Sequence, residues 1–365
     1  VVSRPTVEPD HAAIAEALAA WFEHAARDLP WRHTRDAYAI WVSEVMLQQT
    51  RVETVLGYWP RFVARFPDLG SLAAADEQEV LALWSGLGYY RRARFLHRGA
   101  RFVRDELGGE LPVAASELRK VPGIGRYTAG AIASIAYDRP EPLVDGNVAR
   151  VHARLAALAD PAEQDATHAG HWAFVARVLE HGSPRVLAQA LMELGATVCT
   201  PRSPRCDACP LASRCRARAG GLAADIPAVK QKKASPELHF HAVALRWGDK
   251  LLVERRASEG LLAGLWCLPL FERDAVDDHA ALAEQARAYF GVALELAAAP
   301  GPGVRHVFTH RIWQITPWSA RAKRAPKLRG RSDGRELAWV SGDRGPLGGV
   351  PTLTRKLLDA LEPGA

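Results

Sequence analysis

The sequence predicts a two-part protein, an all-α half followed by a smaller α+β half. Three observations carry this expectation. From about Asp10 to Arg218, Ala-, Leu- and Arg-rich segments of helical pattern are separated only by short turns such as Phe66-Pro67-Asp68 and Ser85-Gly86-Leu87-Gly88. Around Ala217–Pro236 the composition shifts to Ala, Gly, Lys and Pro, with Lys230, Lys232 and Lys233 close together, the texture of a linker. Beyond Glu237, His239–Trp247 and Lys250–Glu254 read as a hairpin turning at Gly248-Asp249. The expected organisation is therefore a helical domain over 1–218, a linker over 219–236 and an α+β domain over 237–365.

At 365 residues the chain is long enough for two cores, and its 48% hydrophobic and 24% charged fractions exclude a disordered or fibrous polymer. A formal charge of +6 favours a polyanionic partner. Its distribution adds more. Arg91, Arg92, Arg94, Arg98, Arg101 and Arg104 crowd one segment, and Arg321, Lys323, Arg324, Lys327, Arg329 and Arg331 form a second run; each reads either as a solvated face or as one towards a polyanion. No apolar run is long enough to span a bilayer, and the N-terminal segment lacks a signal-peptide pattern. Four of the five cysteines are packed between Cys199 and Cys215, unlike a secreted disulfide framework, so a reducing cytoplasm is expected.

Taken in order, the first informative stretch is Trp41–Arg51. Trp41, Val45, Val52, Val55 and Trp59 recur at helical spacing, which predicts one helix with a buried stripe and Glu44 and Gln48 on its shoulder. A carboxylate there is either a satisfied boundary residue or a desolvated acid whose raised pKa suits it to donate a proton. Further on, Val121-Pro122-Gly123-Ile124-Gly125-Arg126-Tyr127 joins two helices through Gly-x-Gly and opens a small-residue helix. That pattern reads as a helix–hairpin–helix over about 118–134, with Gly123 and Gly125 exposing amides to one DNA phosphate. Asp145, before Gly146 and Asn147, reads as a helix N-cap that can also face a pocket. Two carboxylates on separate elements are what glycosidic-bond cleavage requires.

Cys199, Cys206, Cys209 and Cys215 are separated by six, two and five residues. Soft all-thiolate ligation by one compact loop suits a cubane iron–sulfur cluster better than zinc, which usually takes two separated Cys-x-x-Cys hooks. In the six-residue spacer, Arg202 and Arg205 alternate with Pro201 and Pro204, a stiff loop able to hold guanidinium groups towards phosphates. In the C-terminal half, Ala280–Phe290 reads as a helix, His306–Pro317 and Glu336–Val340 as strands, and Arg355–Leu361 as a closing amphipathic helix.

These residues resemble the MutY family of adenine DNA glycosylases in the helix–hairpin–helix superfamily. The matching segments are L-P-W-R at 29–32, W-V-S-E-V-M-L-Q-Q-T at 41–50, G-L-G-Y-Y at 86–90, the glycine hairpin, V-D-G-N-V at 144–148 and the cysteine loop. The resemblance implies a monomeric enzyme with a 4Fe-4S cluster that removes adenine mispaired with 8-oxoguanine in duplex DNA. It implies that Glu44 protonates the flipped adenine and Asp145 stabilises the cationic sugar, with Asn147 and Tyr127 supporting the pocket and Arg32 lining it. Gln48 and Tyr89 would wedge or stack at the lesion pair. An aromatic at Tyr127, where the endonuclease III type has a Schiff-base lysine, implies a monofunctional glycosylase. The second half is similar to a Nudix-like domain, especially Gly260–Pro269, although Ala280–Phe290 offers only Glu284 of the acidic magnesium helix. Phe308-Thr309-His310 stands where the family's Phe-Ser-His contacts 8-oxoguanine. The competing readings are an endonuclease III-type lyase, a lesion-binding protein without chemistry, and a nucleotide-pool hydrolase.

Overall fold

The computed structural model describes residues 10–228, 234–273, 279–324, 333–341 and 348–362. Lys230, Lys232 and Lys233 of the expected linker, and Lys327, Arg329 and Arg331 of the second basic run, lie outside the described residues. The chain divides into two compact units, one formed by 10–74 with 95–228 and the other by 75–94 with 234–362. Among the described residues no helix is long and apolar enough to cross a membrane.

The helices of the first stretch are α1 (His11–Ala25), α2 (Ala37–Leu47), α3 (Val52–Arg65), α4 (Leu69–Ala74), α5 (Glu77–Leu83) and α6 (Arg91–Glu106). They are followed by α7 (Ala115–Leu118), α8 (Arg126–Ile135), α9 (Gly146–Ala156), α10 (Ala169–Leu179), α11 (Pro184–Thr197) and α12 (Arg216–Ala219). Only α5 and the start of α6 fall in the second unit.

The expected single helix through Trp41 and Trp59 is two. Asp36 caps α2 by accepting from Tyr38 N and Ala39 N at 3.1 and 3.3 Å. Gln48 then leaves helical geometry, Gln49 takes φ 58°, and α3 restarts at Val52. The polar run Gln48–Arg51 supplies no apolar contact to hold another turn. Every residue of α2 from Tyr38 to Met46 is buried, so Glu44 lies inside the core rather than on a shoulder.

The glycine hairpin joins α7 to α8 as expected. Gly123 has φ +87°, and a Cβ there would lie 2.7 Å from Phe95 Cβ, so the turn needs glycine twice over. Helices α1, α9, α10 and α11 share one core built on Leu18, Val148, Val175, Leu191 and Leu194. At Gly195 of α11 the helix packs tightly on α9, where a Cβ would stand 2.6 Å from Asn147 Cβ. Gly195→Ala is therefore expected to cost about 1–3 kcal/mol by overpacking. Thermal melts should show the lower Tm, with the strain focused on Asn147 at the start of α9.

In the second unit β1 (Glu237–Trp247), β2 (Lys250–Arg255), β3 (Trp266–Cys267) and β4 (Leu270–Glu272) precede helix α13 (His279–Phe290). Strands β5 (Leu294–Leu296), β6 (Val304–Val307), β7 (Ile312–Ala322) and β8 (Glu336–Ser341) follow, and α14 (Thr352–Asp359) closes the unit. The sheet is mixed: β1 runs parallel to β7 and antiparallel to β2 and β4. Alternation along β1 sends Val243 and Leu245 to the α13 face, and Phe240, Ala242 and Ala244 to the α14 face. The stretch read as one strand from His306 to Pro317 is two, β6 and β7, because the chain reverses where Phe308 N donates to Arg311 O at 2.9 Å.

Candidate active site

Glu44, Asp145, Tyr127, Asn147, Arg32, Gln48, Gly123 and Gly125 all line one cavity of about 800 Å³ in the first unit. Helix α2 brings Glu44, the start of α8 brings Tyr127, and the start of α9 brings Asp145 and Asn147. The two carboxylates are 101 residues apart in sequence and share this space.

Glu44 is 4% exposed, and its Oε2 accepts a 2.7 Å hydrogen bond from the Tyr127 hydroxyl. Burial pushes its pKa up to about 7, and the Asp145 charge adds to this; the Tyr127 hydrogen bond and the Arg32 charge pull the other way. The outcome is a carboxyl that holds a proton near neutrality and can deliver it into the cavity. The same burial, with Glu44 beside it, raises the Tyr127 hydroxyl well above its ordinary value, so that it stays a neutral donor.

Asp145 serves as cap and pocket residue at once. Its Oδ1 accepts from Asn147 N and Val148 N at 2.9 and 2.8 Å, and its Oδ2 accepts from Asn147 Nδ2 at 2.9 Å. Burial raises its pKa, against these hydrogen bonds and the charge of Arg150. An anchored carboxylate of this kind presents fixed negative charge to a neighbouring cation. Asn147 is fixed in turn, since its Oδ1 accepts from Arg150 Nη2 at 2.7 Å.

Sequence reasoning missed the ion-pair wall of the cavity. Glu193 on α11 accepts from Arg27 Nε at 2.8 Å and from Arg32 Nη2 at 2.7 Å. Burial alone would raise its pKa, but the two guanidinium groups hold it down at about 2, so it is ionised and locks Arg32 in place. The available signal was one acid inside the apolar run L-M-E-L of α11.

The cysteine loop is built from two 3₁₀ turns, Cys206–Ala208 and Ala212–Arg214, which turn the chain back on itself as the short spacers require. All four thiols are half-buried and unbridged, and Cys199, Cys206 and Cys215 lie close enough to Cys209 to oppose its ionisation. Such a bunch of thiols needs a cationic centre to become a stable thiolate set, which an iron–sulfur cluster supplies. The loop is tied to α9. Arg154 donates to Cys199 Sγ at 3.2 Å and to Thr200 O at 2.8 Å, and Arg150 donates Nε to Cys199 O at 2.7 Å. Sequence reasoning did not single out Arg150 and Arg154, one turn apart on the helix that Asp145 caps; their i, i+4 spacing was the available signal. Cys267 is buried in the other unit and takes no part.

The remaining expected residues lie elsewhere. Arg202 and Arg205 are exposed, but Arg205 spends Nη2 on Thr197 O at 2.7 Å. In the second unit Tyr89 is 46% exposed on the turn before α6, and Phe308, Thr309 and His310 form the β6–β7 turn, with Phe308 against Trp313 and the other two exposed. The first arginine run is not a free cationic face. Arg92 donates to Leu87 O and Gly88 O, Arg94 to Ala263 O, and Arg101 and Arg104 to Ala73 O.

A buried acid and an anchored carboxylate lining one cavity, with a glycine hairpin at its edge and a cysteine loop on the same unit, are the site of a base-excision DNA glycosylase. The comparisons agree. The family model for HhH-GPD superfamily base excision DNA repair proteins matches residues 42–173, that for the iron–sulfur binding domain of endonuclease III matches 199–215, and that for the NUDIX domain matches 241–360. The adenine DNA glycosylase of Mus musculus is 37% identical, over 90% of this chain and 75% of its own. That of Buchnera aphidicola subsp. Schizaphis graminum is 32% identical, over 69% of this chain and 73% of its own. The solved structure of a thermostable thymine-DNA glycosylase superposes with a TM-score of 0.52 at 25% identity, covering 57% of this chain and 97% of that one. The chain belongs to the adenine DNA glycosylase family, and its cysteine loop holds a 4Fe-4S cluster.

Proposed function

We propose that this enzyme hydrolyses the N-glycosidic bond of adenine mispaired with 8-oxoguanine, or with guanine, in duplex DNA, and leaves the strand uncut. The observation that carries the reading is that Glu44, protonatable near neutrality, and Asp145, anchored by its own helix, line one cavity. In this reading the adenine nucleotide leaves the stack and enters the cavity, because its glycosidic bond is unreachable in the duplex. Glu44 gives its proton to a ring nitrogen, the bond to the sugar breaks, and Asp145 steadies the oxocarbenium-like sugar until water adds. Tyr127 and Asn147 orient the two acids, and Arg32, locked by Glu193, bounds the base.

A lyase needs an amine to form a Schiff base, and among the described residues lining the cavity there is no lysine. Gly123, Gly125, Arg202 and Arg205 grip backbone phosphates, and Gln48 and Tyr89 fill or stack on the vacated position. Phe308, Thr309 and His310 meet the 8-oxoguanine. In domain terms, 1–218 carries catalysis, 219–236 connects, and 237–365 recognises the lesion; the enzyme acts as a monomer in the bacterial cytoplasm, on the nucleoid.

The test uses duplexes carrying adenine opposite 8-oxoguanine, guanine or thymine, with and without alkali. Strand scission only after alkali, mainly with the first two and without borohydride trapping, is expected. Scission without alkali, or equal action on all three, overturns the reading.

A further inference from the structure

Residues 75–94 fall inside the segment matched by the glycosylase superfamily, yet they pack as part of the second compact unit. Gln78 and Arg94 donate to Gly264 O and Ala263 O, and two further contacts meet at one backbone position. The Tyr90 hydroxyl donates to Val350 O at 3.0 Å, and Val350 N donates to Ser85 Oγ at 3.0 Å. Both polar groups of that peptide position are thus taken by residues flanking the turn 86–89. The Tyr90 hydroxyl also accepts from Gly86 N at 3.3 Å, closing the turn on itself. Gly349, next to Val350, lies so close that a Cβ would stand 2.7 Å from Leu81 Cβ and 2.9 Å from Leu265 Cδ2.

Between these anchors Tyr89 has φ 48°, a left-handed conformation that an aromatic residue keeps only where its surroundings dictate it. The Arg92 guanidinium stacks 5.3 Å from the Tyr89 ring centroid while its Nη2 holds Gly88 O at 3.3 Å. The side chain at the tip is therefore aimed by a frame whose outer half belongs to the C-terminal domain.

We propose that Tyr90, clasped by Val350, is a positioning residue through which the C-terminal domain sets the Tyr89 wedge and thereby the preference for adenine opposite 8-oxoguanine. The proposal rests on the reading of Tyr89 at the lesion given above. It makes the lesion-recognition domain act twice, once through its own β6–β7 turn and once by holding a turn of the glycosylase segment in a strained, DNA-ready shape.

The test is a double-mutant cycle in the full-length holoenzyme. Single-turnover rates would be measured on adenine opposite 8-oxoguanine and opposite guanine, with 2-aminopurine flanking the lesion to report unstacking. Tyr90→Phe and, by a different route, Gly349→Ala are expected to lower the 8-oxoguanine preference about fivefold or more and to weaken the 2-aminopurine signal, with the rate opposite guanine changing less than about twofold. Adding Tyr90→Phe to Tyr89→Ala should cost nothing further. Multiplying effects in the double variant, or full preference in Tyr90→Phe, would overturn the clasp and leave the role of Tyr89 standing. Full preference in Tyr89→Ala would instead remove the reading of Tyr89 and the proposal together.

Discussion

Glu44→Gln is expected to lower single-turnover adenine release about 10²–10⁴-fold, the usual range for a lost general acid, while binding to the lesion duplex stays within about threefold. Glutamine fits the same buried space and accepts the Tyr127 hydroxyl as the carboxyl does, but has no acidic proton to give. The wild type supplies the companion observation. With its pKa raised to about 7, Glu44 is mostly protonated below that value and ionised above it. The rate should therefore fall as pH rises through 7, approaching about tenfold per pH unit, and Glu44→Gln should lack this limb. Stability moves in the matching sense. The folded state holds the Glu44 proton more tightly than the unfolded chain, so the stability linked to it is full below the unfolded value of 4.5 and is lost as pH rises through about 7. Glu44→Gln should thus melt higher than the wild type at pH 8 and not at pH 4. A variant of full activity, or one less stable at pH 8, would remove Glu44 from the proton-donor role.

Asp145→Asn is expected to cost about 10²–10³-fold in the same assay, with a smaller Tm loss than Asp145→Ala, since only the Asn147 Nδ2 contact loses its acceptor. Asparagine is as good an N-cap as aspartate and keeps an oxygen for Asn147 N and Val148 N, so α9 still starts correctly. What disappears is negative charge beside the developing sugar cation. Asp145→Ala should add a cap loss of about 1 kcal/mol to the same chemical defect. This separates the two duties of the side chain: equal Tm loss in both variants, or activity lost only in Asp145→Ala, would mean that Asp145 acts as a cap alone.

Much of the scaffold was legible locally. The glycine hairpin, the Asp145 cap, the cysteine loop and helices α13 and α14 each follow from short-range chemistry: a required positive φ, an oxygen before a helix, thiols on short spacers and an apolar stripe. The misread elements failed for equally local reasons. Apolar spacing alone could not see that Gln48–Arg51 breaks the helix carrying Trp41, or that Phe308–Arg311 turns one extended stretch into two strands. The first arginine run could be read as a solvated face or as one towards a polyanion, because charge reads the same whether a guanidinium faces solvent or a carbonyl. In the folded chain Arg92, Arg94, Arg101 and Arg104 meet backbone oxygens.

The sequence by itself determined which groups are available: two acids, one hydroxyl donor, four thiols and the turns between them. Only the tertiary structure decided their chemistry. Burial of α2 on every side turned Glu44 from an ordinary surface acid into one that keeps its proton near neutrality. Packing of α9 against α11 placed Asp145 across the same cavity, and it brought Glu193 to lock Arg32 in the cavity wall. A pKa is set by desolvation and by neighbours distant in the chain, and neither is encoded in the spacing of residues along it.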